Sequence, residues 1–470
     1  MRKVLALAVV AGLLLVAACD QGGKPTVTIV YPTNGATIGF GGTTIKAVAT
    51  DDVGVAQVQF YDGSTSIGVD SSAVSDTFSV SWSGGAAGSH TLKAVATNDD
   101  GKTAEHSITV TVSAGNATHH EGEIDTNEVW YPAGNPHIID GDVYTGNNVT
   151  LTIMPGCYVQ FSADVELYTG YANPGSIIAV GKPDSLITFT SLSDTVAGFW
   201  QAITFYGNTI STANMSYCNV FFGGKVSDKL GAIRVDNCNI KFDHNLVRKS
   251  GSNGVWTSTT GYFSDFTNNT ITGSTLYAVH IGAEKVPTLG AGNTLTGNTK
   301  NGIEVFSSQV QASGTWLNHG VPYVVTDDVA IDENAVVTIA PGTTIALDPD
   351  VEFYVGYAGP GGLIADGTTG QITFTSSVST PSAGDWRQLS FYGQSMSAQC
   401  QLINCKVEYA GQQSEGNIYI SDCTPTITGC DIGYSAAWGI YLTGSEYPTP
   451  ADLRANNTFH DNASGDVREP

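Results

Sequence analysis

Residues 245–305 read "NLVRKSGSNGVWTSTTGYFSDFTNNTITGSTLYAVHIGAEKVPTLGAGNTLTGNTKNGIEV". Asn245, Asn269 and Asn293 recur every 24 residues, each opening a short apolar strand, "NLV", "NTI" and "NTL". A second set keeps the same 24-residue step: "GVW" from Gly254, "AVHI" from Ala278 and "GIEV" from Gly302. A period of this length, made of short strands and Gly/Asn turns with no helix in the unit, marks a stacked architecture. One unit cannot bury its own apolar side chains. Stacked units bury a continuous column, and neighbours hydrogen-bond about 4.8 Å apart. Each unit is therefore expected to be one coil of a parallel β-helix, with the repeated Asn placed to stack into a ladder of side-chain amide bonds.

A longer repeat encloses this one. "VTLTIMPG" (149–156) returns as "VVTIAPG" (336–342), "DVELYTGYANPGSIIA" (164–179) as "DVEFYVGYAGPGGLIA" (350–365), and "GFWQAITFYG" (198–207) as "GDWRQLSFYG" (384–393). The offset stays near 186 residues, so residues 128–470 read as one segment present twice, about 128–313 and about 314–470. At about 24 residues per coil this length predicts on the order of 14 coils and a rod of roughly 70 Å. The "TIxPG…ITFTS…W…F" phrases and the period resemble the right-handed parallel β-helix superfamily, which includes pectate lyases, polygalacturonases and bacterial surface proteins. The resemblance implies the fold and leaves the activity open.

Residues 25–113 follow a different grammar. Apolar residues alternate along short strands (Val27, Ile29; Ile45, Ala47, Ala49; Val58, Phe60; Leu92, Ala94, Ala96; Ile108, Val110, Val112), and turn clusters separate them. This is the pattern of a β-sandwich. The segments "ATDDVGVAQVQFYDG" and "GSHTLKAVATNDDGKTAEHSITVTV" resemble bacterial immunoglobulin-like modules of extracellular proteins, which serve as spacers or sugar-binding accessories. No Cys lies inside, so the module lacks the inter-sheet disulfide of antibody domains. The predicted fold class is thus all-β, an Ig-like sandwich followed by a right-handed parallel β-helix. Residues 114–127, "AGNATHHEGEIDTN", read as a polar linker between the two.

The N-terminus carries a sorting signal. Arg2 and Lys3 precede an apolar run over residues 4–16, then Ala17, Ala18 and Cys19. A charged start and a short apolar core describe a secretory signal over residues 1–18. "LLVAAC" resembles the lipobox of bacterial lipoproteins. That implies Cys19 as the lipid-modified first mature residue, residues 19–24 as a tether, and the membrane as a partner through several acyl chains. Asp20 occupies the position that favours inner-membrane retention in enteric bacteria, a rule that varies between groups, so the choice of membrane stays open.

Bulk composition narrows the partners. The formal charge is −24 with a pI near 4.4. No basic footprint for nucleic acid exists, and direct binding of acidic polysaccharides is disfavoured. Neutral glycans and surface proteins remain. Setting Cys19 aside leaves seven cysteines, an odd number. Cys218 and Cys238, and likewise Cys405 and Cys423, are spaced close to one coil and are expected at similar positions in adjacent coils, as buried thiols.

Four residues stand out as possible chemistry. "DVE" occurs twice, as Asp164/Glu166 and Asp350/Glu352, each followed by a tyrosine, Tyr168 and Tyr354. On a strand the acids and the tyrosine share the outward face. Paired carboxylates suit glycoside hydrolysis, exposed acid beside tyrosine suits sugar contact, and a solvated strand face needs neither. Arg387 and Asp385 mark where the second copy departs from Gln201 and Phe199 of the first, and they join the tyrosines as candidate glycan contacts. The catalytic phrases of polygalacturonases and pectate lyases are missing; Arg248, Arg387 and Arg454 stand alone. The reading is a lipid-anchored envelope protein whose β-helix rod serves adhesion or glycan and protein binding, with a polysaccharide lyase or glycoside hydrolase as the alternative. No cofactor is implied. Ca²⁺ at Asp51, Asp52, Asp99 and Asp100 competes with plain turn chemistry, and His119, His120, Glu121 and Glu123 have metal-ligand types but, in a linker, no scaffold to fix them.

Overall fold

A computed structural model describes residues 23–39, 42–82, 84, 87–113, 117–193, 196–225, 231–306, 308–412 and 415–470. The expected signal peptide, the Cys19 anchor and Asp20 lie outside the described residues. Two compact units divide the chain, and the boundary falls between Ser113 and Ala114.

The first unit is a sandwich, antiparallel but for the parallel pairing of Thr37–Ile38 with Thr103–Val112. Thr26–Tyr31, Thr43–Thr50 and Thr77–Trp82 form one sheet, and Thr37–Ile38, Thr103–Val112, Gly88–Asn98, Val55–Asp62 and Thr65–Asp70 the other. The alternation read from sequence sets its core: Ile45, Ala47, Val58, Phe60, Leu92, Ala94, Ala96 and Val110 are all fully buried. Asp51 serves its turn, accepting from the Val53 N–H at 3.0 Å and from Asn98 Nδ2 at 3.3 Å.

The second unit is a parallel β-solenoid of about 13 turns. Each regular coil lays down three short strands on three faces, for example Tyr158–Phe161, Leu167–Thr169 and Gly175–Val180. Each of these three strands pairs in parallel with its counterpart one coil on. Inward positions stack in register. One column runs Val143, Leu167, Ile203, Ile233, Val255, Val279, Ile303, Tyr323, Ile345, Phe374, Val407, Ile432, Phe459. A single apolar core fills the interior from Ile124 to Val467.

The asparagine ladder is present. Asn269 Oδ1 accepts from the Asn245 N–H at 3.0 Å, and Asn293 Oδ1 accepts from the Asn269 N–H at 2.9 Å. The amide groups donate onward to the Met215, Phe242 and Phe266 carbonyls. Both ends of each amide are thus used where water is excluded, at Asn245 and Asn269 above all.

Three sequence expectations need correction. Residues 118–124 are not linker: Thr118–Ile124 is a strand paired with His137–Thr145, the first rung of the solenoid. Its polar sequence hides this, because it exposes alternate side chains while Ile124 enters the core. Cys218 and Cys238 share one coil on different faces, next to Cys218–Phe221 and Asn239–Asp243, and Cys405 and Cys423 do the same. Their spacings of 20 and 18 residues fall short of a full coil. The register Lys406↔Asp431 instead stacks Cys405 on Cys430. All seven described cysteines are buried free thiols. Third, Asp164 and Asp350 are turn residues in the left-handed region, φ +66° and +67°, and not strand residues.

The faces are not continuous along the solenoid. The column containing Leu167–Thr169 continues through Val279–Gly282 and Ile303–Phe306 and then supports Tyr323–Val325, Thr344–Leu347 and Ile372–Ser376. New columns start at Ser308–Val310 and Gly314–Trp316, beside the 3₁₀ helix Ala283–Thr288, which contains Pro287.

The ladder yields a stability test. Asn269→Ala takes the acceptor from the Asn245 N–H and the donor from the Phe242 carbonyl, a loss of about 1–3 kcal/mol. The urea midpoint of the solenoid should drop with little change in slope; an unchanged midpoint would show that the ladder carries no net stability.

Candidate functional site

The two "DVE" segments and the strands that follow them, Leu167–Thr169 and Glu352–Val355, position matching clusters. Val165 and Leu167, like Val351 and Phe353, point into the core, which sends Glu166, Tyr168, Glu352 and Tyr354 outward. Gly170 and Gly356 follow, both with φ +72°. A Cβ at Gly170 would lie 2.3 Å from the Thr209 backbone nitrogen, and one at Gly356 would lie 2.2 Å from that of Ser395. Only glycine permits the chain to turn there against the next coil. The turn delivers Tyr171 and Tyr357 to the surface, 68% and 64% exposed. Side chains of the next coil hold it: Asn208 Nδ2 donates to the Tyr171 carbonyl at 3.3 Å, and Gln394 Nε2 to that of Tyr357 at 3.4 Å.

Each exposed ring rests on two others. Tyr171 lies 6.1 Å from Tyr168 and 5.0 Å from Tyr206, at 80° and 67°. Tyr357 lies 5.9 Å from Tyr354 and 5.0 Å from Tyr392, at 81° and 72°. Burial, then neighbouring carboxylates and tyrosines, pushes the Tyr168 hydroxyl up to about 12, and Tyr354 shifts the same way for the same leading reason. Both hydroxyls are therefore donors at neutral pH.

The carboxylates sit differently from the sequence expectation. Glu166 and Glu352 face outward but are only 5% and 4% exposed, because the next coil covers them. Glu352 Oε1 accepts from Gln388 Nε2 at 3.3 Å, Ser390 Oγ at 2.5 Å and the Tyr392 hydroxyl at 2.9 Å. Its Oε2 pairs with Arg387 Nη2 at 2.9 Å, and Arg387 Nη1 reaches Asp328 at 3.7 Å. Glu166 accepts from the Thr204 hydroxyl. With both oxygens so engaged, Glu352 reads as a strut under Tyr392. Asp164 is exposed and pairs with Lys225, and Asp350 accepts from Gln412. Asp385 does not join Arg387: it closes its own loop, accepting from Ser376 Oγ at 2.7 Å and the Ser382 N–H at 2.9 Å. Phe199, at the matching position, packs against the core.

Tyr171, Tyr206, Tyr357 and Tyr392 are not among the residues singled out from sequence, although all four lie inside the quoted repeats. A second group, also unanticipated, extends the first cluster. Thr204, Arg234, Trp256, His280 and Glu304 follow Tyr168 at one outward position per coil. Arg234 lies 5.2 Å from the Tyr206 ring and 5.0 Å from Trp256, and Trp256 stacks on His280 at 5.6 Å. Burial drives His280 down to about 4 and raises Glu304. The signal was available: Trp256, His280 and Glu304 keep the 24-residue step.

The histidines of the first coil diverge. His119 pairs with Asp140 at 2.6 Å, while His120 stacks on Trp130 at 4.0 Å and meets His137 Nδ1 at 3.0 Å. Glu121 and Glu123 are exposed. Among the described residues no group of three or more His, Cys, Asp or Glu is arranged to hold a metal.

The architecture defines a two-unit all-β protein, an Ig-like sandwich joined to a parallel β-solenoid. Residues 25–94 match the bacterial Ig domain family, and the chain carries such a domain there. Among solved structures, the fibronectin(III)-like modules of Clostridium thermocellum CbhA are 34% identical, covering 18% of this chain and 94% of that one, TM-score 0.17. An engineered protein is 24% identical over 19% of this chain and 20% of its own, TM-score 0.17. No curated protein matches the chain.

Two outcomes are expected. Arg387→Ala leaves Glu352 buried without its cation and should cost about 3 kcal/mol; adding Glu352→Gln should recover much of it, and additive losses in the double-mutant cycle would refute the pairing. Burial, then the neighbouring His137, holds His120 down to about 4, against 6.5 unperturbed. Its lowered value contributes stability that is complete above about pH 6.5 and is lost as pH falls toward about 4. Thermal melts across that window should decline less steeply for His120→Phe, which keeps the ring stack; parallel curves would exclude the contribution.

Proposed function

We propose that the protein is a bacterial envelope lipoprotein, anchored through Cys19, whose solenoid binds neutral glycan chains at the two tyrosine clusters. The Ig domain acts as a spacer. The observation that carries this reading is the pair of exposed tyrosines, Tyr171 and Tyr357, each held on two further rings at nearly the same distances. A fixed aromatic ring offers a flat apolar surface at low entropic cost, with a hydroxyl at its edge. The charge of −24 repels polyanions and leaves neutral polymers as the suitable partners. Glu352, with its oxygens already engaged, supports a positioning role over an acid–base one.

A glycan array tests this. Tyr171→Ala and Tyr357→Ala should each weaken the bound signals, and together reduce them about tenfold or more, the size of a 1.4 kcal/mol anchor. Unchanged binding by the double variant would remove the tyrosines from the site, and an array with no bound glycan would overturn the glycan reading. Anchoring is tested by fractionation: Cys19→Ala should move the protein from membranes to the soluble fraction, and unchanged fractionation would sink the lipid anchor.

A further inference from the structure

The two tyrosine clusters lie on different faces of the solenoid. Tyr168 belongs to the column that runs through Ile303–Phe306 into Tyr323–Val325 and Thr344–Leu347. Tyr354 belongs to the column that begins at Ser308–Val310 and continues through Val329–Ile331 and Glu352–Val355. These are separate sheets around one core, so their outward surfaces diverge. Counting along the first column from Leu167–Thr169 to Thr344–Leu347 gives seven parallel pairings. At about 4.8 Å per rung the clusters stand roughly 34 Å apart along the axis.

We infer that the solenoid is a cross-linker of neutral polysaccharide: each tyrosine cluster takes a separate chain, and the two never grip one chain together. This rests on the glycan reading above. A straight polymer lying along one face meets one cluster. Avidity needs both sites to engage the same ligand, and it is lost when geometry forbids that. The displacement originates where the 3₁₀ helix Ala283–Thr288 ends the column of Tyr262–Thr267 and new columns start above it. Without that displacement the two clusters would share a face and suit a single bound chain.

The test uses the full chain in detergent with a soluble β-glucan, a galactomannan and a dextran, each as polymer and as hexasaccharide. The hexasaccharide of whichever polymer binds should occupy two independent sites per protein by calorimetry. Its polymer should give light scattering that rises and then falls as protein is added. Tyr171→Ala and Tyr357→Ala singly should each keep one hexasaccharide site, keep the wild-type melting temperature, and lose the scattering. Cross-linking is overturned if polymer binds on the order of 100-fold tighter than hexasaccharide without scattering, the mark of both sites on one chain. It is also overturned if one substitution removes both sites, or if scattering survives in the single variants. Binding of none of the three sugars overturns the glycan reading itself and the cross-linker with it.

Discussion

The structure depends on one constraint: a strand in a solenoid coil must place a core-sized apolar side chain directly over the one below. Parallel pairing fixes the rung spacing, so a misplaced polar or oversized residue is felt by two neighbours at once. The column from Val143 to Phe459 meets this constraint through every coil it crosses, with Ile, Val, Leu, Tyr and Phe and no polar interruption. The asparagines solve the companion problem at the corners, where backbone groups turn inward and water cannot reach them.

Because only one column has to stay unbroken, the others can be reset. At Ala283–Thr288 the chain leaves its strand path for a 3₁₀ turn, and the next strands open new sheets beside it. The strand Ile303–Phe306 is stacked on Val279–Gly282, in the column of Leu167–Thr169, and itself supports Tyr323–Val325 and, through it, Thr344–Leu347, the strand that immediately precedes the second "DVE" segment. The core is indifferent to this renaming, since the same apolar residues face inward on either side. The surface is not: a motif displaced by one face points in a new direction.

Much of the architecture was legible from sequence because it rests on period. The 24-residue step fixed the coils and the ladder, and alternation fixed the Ig sandwich. What could not be read depends on neighbours far along the chain. Glu352 looks exposed from its own strand, yet its cover comes from Ser390 and Tyr392, one coil and about 40 residues later. The strand Thr118–Ile124 looks like linker because its stacking partners, Trp130 and His137, follow it. Corner loops of unequal length made the Cys218–Cys238 spacing misleading. The change of face leaves no mark in the repeat, because a sequence period counts coils and does not number their faces.

Beneath the rings the two tyrosine clusters share a buried glutamate that accepts from a hydroxyl of the next coil, and differ in what surrounds it. The first has Tyr144 stacked on Tyr168 at 5.0 Å and Arg234 against Tyr206. The second has Ala330 in place of Tyr144, and an Arg387–Glu352 pair whose carboxylate takes the Tyr392 hydroxyl. The separation of the outer ring from its nearer support is 5.0 Å in both. Arg387 pairs with Glu352 Oε2 at 2.9 Å, whereas Gln201, at the matching position of the first repeat, donates from Nε2 to the Asp164 carbonyl. The proposed glycan reading accommodates this difference, because a sugar stacks on the exposed rings and not on their supports. Different supports holding one ring geometry is the behaviour expected of a site that binds by shape.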